Sequence, residues 1–302
     1  MAHFKRLVRF EDSEGTVHYG EVPQGQSWEQ SLVGVTVHIY EGGEPWEDGF
    51  VLTKQTATIT KVLSPVESPP LVIGIGLNYR QHAEEAKVAS FPCQTRVQVD
   101  SRNIQFPLPP HPLVFIKGTG PHSVTGAYDN VPIPQEAKLL DYEGELTIVF
   151  GKAAKDVTEA ENAYDYLLGY TVGNDVSSRY WQDPTRAGGQ HGYAKAFDRF
   201  APIGPILAST LQIPDPSELT LKTTVNGEQR QLTKTDDLIF DIPAIVRHLT
   251  RGRTVYPGTV VMTGTPSGVA AFMKPQAWLQ DGDIVEVEIS GIGSLKNKMS
   301  FV

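Results

Sequence analysis

The punctuation of this chain confines its fold more than any other feature. Twenty-eight glycines and 22 prolines are spread along 302 residues, and the apolar residues between them recur at strand spacing. Helical periodicity is scarce. Glycine and proline interrupt long helices, so the pattern predicts a β-rich α+β chain with a few short helices. Residues 4–63 read as four short strands, "FKRLVRFE", "VHYGEV", "VTVHIYEG" and "TATITKVL", separated by turn residues. The stretch "SPVESPP" at 64–70 suits a boundary between a small N-terminal β domain, 1–65, and a larger β-rich domain, 70–302. Within the latter, "LTLKTTVNGEQRQL" reads as a hairpin turning at Asn226-Gly227. Three helices are expected: "NYRQHAEEAK" capped by Asn78, "TEAENAYDYLLG" with a Thr158/Glu161 capping box, and "DIPAIVRHLTRG" starting near Asp241. Residues 86–112 show no sustained period, and a connection of that length suggests a functional segment such as a lid.

The net charge of −9 argues against nucleic acid and anionic membrane as partners, because both need a basic surface. A small anionic substrate needs only local positive charge. The single cysteine, Cys93, excludes an intramolecular disulfide, and no paired histidine points to a nucleophile. The first residues carry no apolar signal region, and no run reaches the roughly 18 apolar residues of a membrane span. A cytoplasmic protein is the expectation.

The stretch "LLDYEGELTIVFGK" at 139–152 places Asp141, Glu143 and Glu145 at alternate positions immediately before a core strand. Strands deplete acidic residues, and buried carboxylates need compensation. Strand period puts Glu143 and Glu145 on one face. Thirty residues on, "LLGYTVGNDVSSRYW" reads as an apolar strand delivering Asp175 at its end. Crowded carboxylates repel, and a divalent cation removes that penalty. An all-oxygen set favours Mg²⁺ or Mn²⁺, with Ca²⁺ also admitted, over Zn²⁺. The competing reading is the solvated face of an edge strand. Asp141 could be a further ligand, a support behind the ligands, or a surface group, and the last two fit better.

His82 and Glu85 stand three apart on the first helix and share a face, as a base and its orienting carboxylate would; an exposed polar helix would look the same. Arg179, Gln182 and Lys195 follow Asp175, and from the residues alone each cation reads first as an ordinary surface group. Thr265 in "TGTPSG" could bind an oxyanion or simply make the turn, and Tyr79 could be core or pocket wall.

Six stretches occur in order: "IGIGLNYRQHAEE", "DYEGEL", "GYTVGNDVSSRYWQ", "GYAKAFDRFAPIGP", "VMTGTPSGV" and "GDIVEVEISGIGSLKN". Together they resemble the fumarylacetoacetate hydrolase family over roughly residues 70–302, and the "GGQHGYAKAFDRFAPIGP" version resembles fungal members. The resemblance implies a rolled mixed β-sheet, usually in a homodimer. It implies a Mg²⁺ or Mn²⁺ centre on Glu143, Glu145 and Asp175, a His82–Glu85 dyad, and a pocket lined by Arg179, Gln182 and Lys195. The implied reaction is metal-dependent hydrolysis of a C–C bond in a β-diketo or acylpyruvate-type acid. The alternative is decarboxylation of a 3-oxo acid such as oxaloacetate, or enol/keto isomerisation, on the same site. "QDPTRAGGQHGYA", 182–194, departs from the family pattern; Gln190, His191 and Tyr193 could face the pocket there.

Overall fold

A computed structural model describes residues 4–25, 32–88 and 110–302. Cys93 and most of the expected lid lie outside the described residues. Two mixed sheets dominate. Along the larger, twelve-stranded sheet the order runs Val51–Thr58, Thr36–Glu41, Val17–Glu21, Arg6–Glu11, Ala201–Ser209, Leu167–Asn174, Gly144–Phe150, Val260–Met262, Val72–Gly76 and Leu113–Gly118, with two short strands beside this path. Its pairings are mostly antiparallel, but Val260–Met262 runs parallel to Val72–Gly76. The smaller sheet orders Glu228–Lys234, Thr220–Val225, Ile284–Ile289, Gly293–Phe301 and Val131–Ile133.

The small sheet packs across the middle of the large one. Leu146, Ile148 and Val172 meet Leu221, Val287 and Leu295 in the larger apolar cluster. On the opposite face, Val149 and Met262 pack with Leu7, Leu168 and Leu207. Every residue of Gly144–Phe150 and of Leu167–Asn174 is therefore buried. A strand covered on both faces reads as a continuous apolar run, which "LTIVF" does. Gly144 is needed because the sheets close upon it: a Cβ there would stand 2.2 Å from Thr223 Oγ1 and 3.0 Å from Val287 Cγ1.

The N-terminal strands extend the large sheet through Arg6↔Ala208 and Leu7↔Leu207, so the proposed division at 65–70 crosses a hydrogen-bonded ladder. The expected strand over 56–63 instead ends at Thr58 and resumes as Lys61–Val62.

The helix expected from Thr158 does not form. Only a 3₁₀ turn, Ala163–Tyr166, follows Asn162, whose side chain accepts from Tyr164 N. Leu167 and the residues after it are drawn into the core strand, and tertiary pairing overrides local preference. Thr158 N and its hydroxyl still bond Glu161 Oε2, at 2.9 and 3.0 Å.

The first helix spans Arg80–Val88, and Asn78 does not cap it. The Asn78 side chain instead donates to Thr263 O at 2.7 Å and accepts from Phe240 N at 2.8 Å, riveting the strand–helix junction to two distant loops. The helix Ile242–Thr250 forms as expected, with Asp241 accepting from Ala244 N at 2.8 Å. Asn226 and Gly227 both take positive φ, 51° and 82°, as a type I′ hairpin requires. No helix among the described residues is long and apolar enough to cross a membrane.

Candidate active site

Glu143 and Glu145 project from the start of a central strand, flanked by Leu167–Asn174 on one side and Val260–Met262 on the other. The edge-strand alternative is thereby removed. Asp175 follows the partner strand directly. Its backbone N–H donates to Glu143 O at 2.8 Å, and the Asn174 side chain accepts from Glu143 N at 3.0 Å. Adjacent strand ends so bring the three carboxylates together: one oxygen from each of Glu143, Glu145 and Asp175 lies within 4.8 Å of the others, and all three residues are buried.

Three cations meet this cluster. Lys195 Nζ lies 2.6 Å from Glu143 Oε2 and also donates to Asp175 Oδ2. Lys117 Nζ donates to Asp175 Oδ1 and, at 3.2 Å, to Val176 O. Arg179 reaches Glu143 Oε1 at 2.6 Å, Asp141 Oδ2 at 2.7 Å and Gln182 Oε1 at 2.6 Å. With side chains 14% and 3% exposed, Arg179 and Lys195 are not surface cations. Asp141 is fully buried and also accepts from Ala270 N at 2.8 Å and Ala271 N at 3.1 Å. It braces Arg179 against Glu143, so the surface reading of Asp141 falls.

The two glutamates differ electrostatically. Burial pushes the Glu143 carboxyl up, but Lys195 and Arg179 overcome this and hold it well below the usual carboxylate range. Burial, then the charges of Asp175 and Glu143, push Glu145 well above that range. Its nearest donor is Gly264 N, 2.6 Å from Oε2. Gly264 has φ +111°, and a Cβ there would lie 2.7 Å from Asn78 Cβ, so glycine lets this turn press against the junction and aim its N–H at Glu145. Burial lowers the pKa of Lys117, opposed by Asp175, while the carboxylates outweigh burial and raise that of Lys195.

His82 Nδ1 lies 3.1 Å from Glu85 Oε2, and Glu85 Oε1 accepts from Gly268 N at 3.1 Å. A carboxylate at Nδ1 holds the proton there and leaves Nε2 as the basic nitrogen. His82 is buried, against the exposed-helix reading, and stands near enough for its charge to act on Glu143. Glu84 is exposed. Thr265 Oγ1 is engaged twice, donating to Gly144 O at 3.0 Å and accepting from Gln231 Nε2 at 2.8 Å, which is the turn-making arrangement. Tyr79 is fully buried; its hydroxyl finds no hydrogen-bond partner among the described residues, and burial, then Glu145, raises its pKa. Gln182 Nε2 pairs with His191 Nδ1 at 2.8 Å.

Lys117 and Gln231 escaped sequence reasoning. Lys117 had one faint signal, a lone lysine inside the apolar strand "LVFIKG". Gln231, whose Oε1 accepts from Gly144 N at 3.0 Å, had none.

Residues 71–300 match the family model described as fumarylacetoacetate (FAA) hydrolase C-terminal. A fumarylacetoacetate hydrolase domain-containing protein 2 homolog of Dictyostelium discoideum is 39% identical over 248 residues, 79% of this chain and 74% of that protein. An oxaloacetate tautomerase of Xenopus laevis, named as mitochondrial, is 36% identical over 236 residues, 78% of this chain and 67% of that protein. The solved fumarylacetoacetate hydrolase of psychrophilic Exiguobacterium antarcticum superposes with a TM-score of 0.73 at 29% identity, covering 99% of this chain and 100% of its own. These likenesses lend the expected fungal character no support.

Proposed function

Because the chain belongs to the fumarylacetoacetate hydrolase family, we propose that it is an enzyme acting on a small enolisable keto acid, moving a proton between the carbon beside a carbonyl and the carbonyl oxygen. One observation carries this reading: a buried, carboxylate-oriented imidazole, His82, stands beside a carboxylate triad threaded with cations. The relative named as an oxaloacetate tautomerase supports it, and oxaloacetate is the first substrate to test.

The triad suits a hard divalent cation. Three buried oxygens converge, none of the donors is nitrogen or sulfur, and Glu145 carries charge repulsion that such an ion relieves. Mg²⁺ or Mn²⁺ is proposed, with Ca²⁺ admitted, on Glu143, Glu145 and Asp175. When bound, the ion supplies Lewis acidity toward the oxygens of a chelating keto acid. His82 Nε2 takes the proton from carbon. Glu85, tied to Gly268 N, orients the ring and stabilises the charged imidazolium. Lys195 places positive charge where the enolate develops, and Arg179, fixed by Asp141, holds Glu143 in place. The site's burial limits water around the proton in transit.

Hydrolysis of a C–C bond is the second reading. The His82–Glu85 pair favours it, because the same base could activate water instead of carbon. Water would add to the carbonyl, the adjacent C–C bond would break, and its electrons would leave as an enolate that is then protonated. Decarboxylation on the same site needs no water.

Incubation of oxaloacetate and an acylpyruvate with Mg²⁺ or Mn²⁺ in D₂O and in H₂¹⁸O separates the three. Deuterium at the carbon beside the carbonyl, faster than in buffer and without cleavage, is the expected result. Cleavage with ¹⁸O in a product carboxylate would replace it with hydrolysis, and CO₂ release with no ¹⁸O in the carboxylate of the remaining acid would replace it with decarboxylation. A homodimer is the proposed assembly. The cytoplasm is the proposed compartment, with the mitochondrion the alternative that the frog relative raises.

A further inference from the structure

Arg179 Nη1 lies 2.6 Å from Gln182 Oε1. A guanidinium only donates, so the amide oxygen of Gln182 faces Arg179 and the amide nitrogen faces away. That nitrogen lies 2.8 Å from His191 Nδ1. An amide NH₂ also only donates, so Nδ1 must accept, and a neutral His191 carries its proton on Nε2. Burial, then the charge of Lys195, lowers the His191 pKa and favours the neutral ring; Glu143 and Asp175 oppose this, and Arg179 reinforces it.

His191 immediately precedes the short helix Gly192–Lys195, so it and Lys195 bracket one turn. Phe115 lies against both, with its ring 6.1 Å from the imidazole and 4.7 Å from Lys195 Nζ. The chain Glu143–Arg179–Gln182–His191 thus leads outward from the triad to a half-buried ring. The Nε2–H of that ring has no partner among the described residues.

We propose that His191 is a specificity-determining residue that donates its Nε2–H to a carboxylate at the far end of a dicarboxylic keto acid whose keto end lies at the triad. The proposal rests on the keto-acid reading above and names its substrate class. A partly buried donor set near Lys195 and Arg179 bonds an anionic oxygen more strongly than a neutral one. A substrate ending in a methyl group leaves it unpaired, which is how a polar site rejects an analogue.

Two measurements test this. Selective ¹⁵N labelling of histidine in the intact protein, with His191→Gln used to assign the signal, reports the tautomer: an unprotonated Nδ1 is expected, and a protonated one overturns the proposal. The second compares kcat/KM for oxaloacetate with that for acetylpyruvate, which ends in a methyl ketone, in the presence of Mg²⁺. In His191→Phe the ratio is expected to fall about tenfold, mainly through KM for oxaloacetate, and in His191→Gln the remaining amide donor restores most of it. An unchanged ratio, or equal losses on both substrates, overturns the proposal. Should the wild type turn over neither acid, the functional reading fails by itself. Calorimetric affinity for oxaloacetate then decides: a tenfold loss in His191→Phe sustains the assignment, and equal affinity ends it.

Discussion

A carboxylate taken out of water must be paired or neutralised, and Glu143 and Glu145 meet this demand differently although one residue separates them. Glu143 is gripped by Lys195 and Arg179, whereas Glu145 has the Gly264 N–H and two like charges for neighbours. Glu143 is therefore the anchor of the cluster and Glu145 its repelled member. Glu145→Gln keeps the shape and the bond from Gly264 while removing a potential charge. In EDTA its unfolding temperature is expected to equal or exceed that of the wild type. Loss of several degrees there would show that Glu145 is compensated in a way the geometry does not contain. His82 touches none of the three carboxylates through a hydrogen bond, so His82→Ala should lower turnover by about 10²–10⁴ while divalent binding, followed by calorimetry, persists. Full activity in that variant would remove His82 from the role of base.

At the scale of elements, the site depends on how closely the small sheet sits against the strand carrying the glutamates. Gly144 is the contact point. Gly144→Ala puts a methyl 2.2 Å from Thr223 Oγ1 and disturbs the Gln231 bond to its N–H, so it should cost about 1–3 kcal/mol in urea unfolding. A variant as stable as the wild type would mean the sheets separate freely. The same packing explains what the sequence disclosed. Glu143 and Glu145 were legible because strand period is written locally, and Asp175 because an apolar strand ends on it. The helix Ile242–Thr250 was legible from Asp241 near its start and Gly252 near its end. Lys117 and Gln231 were not, because their partners lie 58 and 87 residues away and nothing local records the pairing. The failed helix after Thr158 belongs here too: Leu167 suits a helix in isolation and is claimed by the strand Gly144–Phe150 only in the assembled sheet. Asn78 has the residue type of a cap, and its amide serves instead as a rivet to Thr263 and Phe240.

On the scale of the whole molecule, the cluster joins segments that are remote in the chain. Asp141, Glu143 and Glu145 come from one strand region, Asp175 and Arg179 from the next, Lys195 from a short helix and Lys117 from the Leu113–Gly118 strand at the end of the sheet path. Four carboxylates face three basic side chains, so the buried ensemble retains an acidic excess when all are charged. Ligands that bind the folded chain alone stabilise it by mass action, about 2.7 kcal/mol at a hundredfold excess over Kd. The unfolded chain scatters these residues and holds no comparable site. Mg²⁺ or Mn²⁺ added after EDTA treatment should therefore raise the unfolding temperature by roughly 5 °C, given about 2 °C per kcal/mol for a chain of this size. The gain should depend on ion concentration and should be absent in Glu145→Gln, whose amide cannot replace an anionic ligand. An equal gain in that variant would place the ion elsewhere on this acidic chain, and no gain in the wild type would leave a salt-bridge cluster in which Lys117, Arg179 and Lys195 neutralise Glu143 and Asp175.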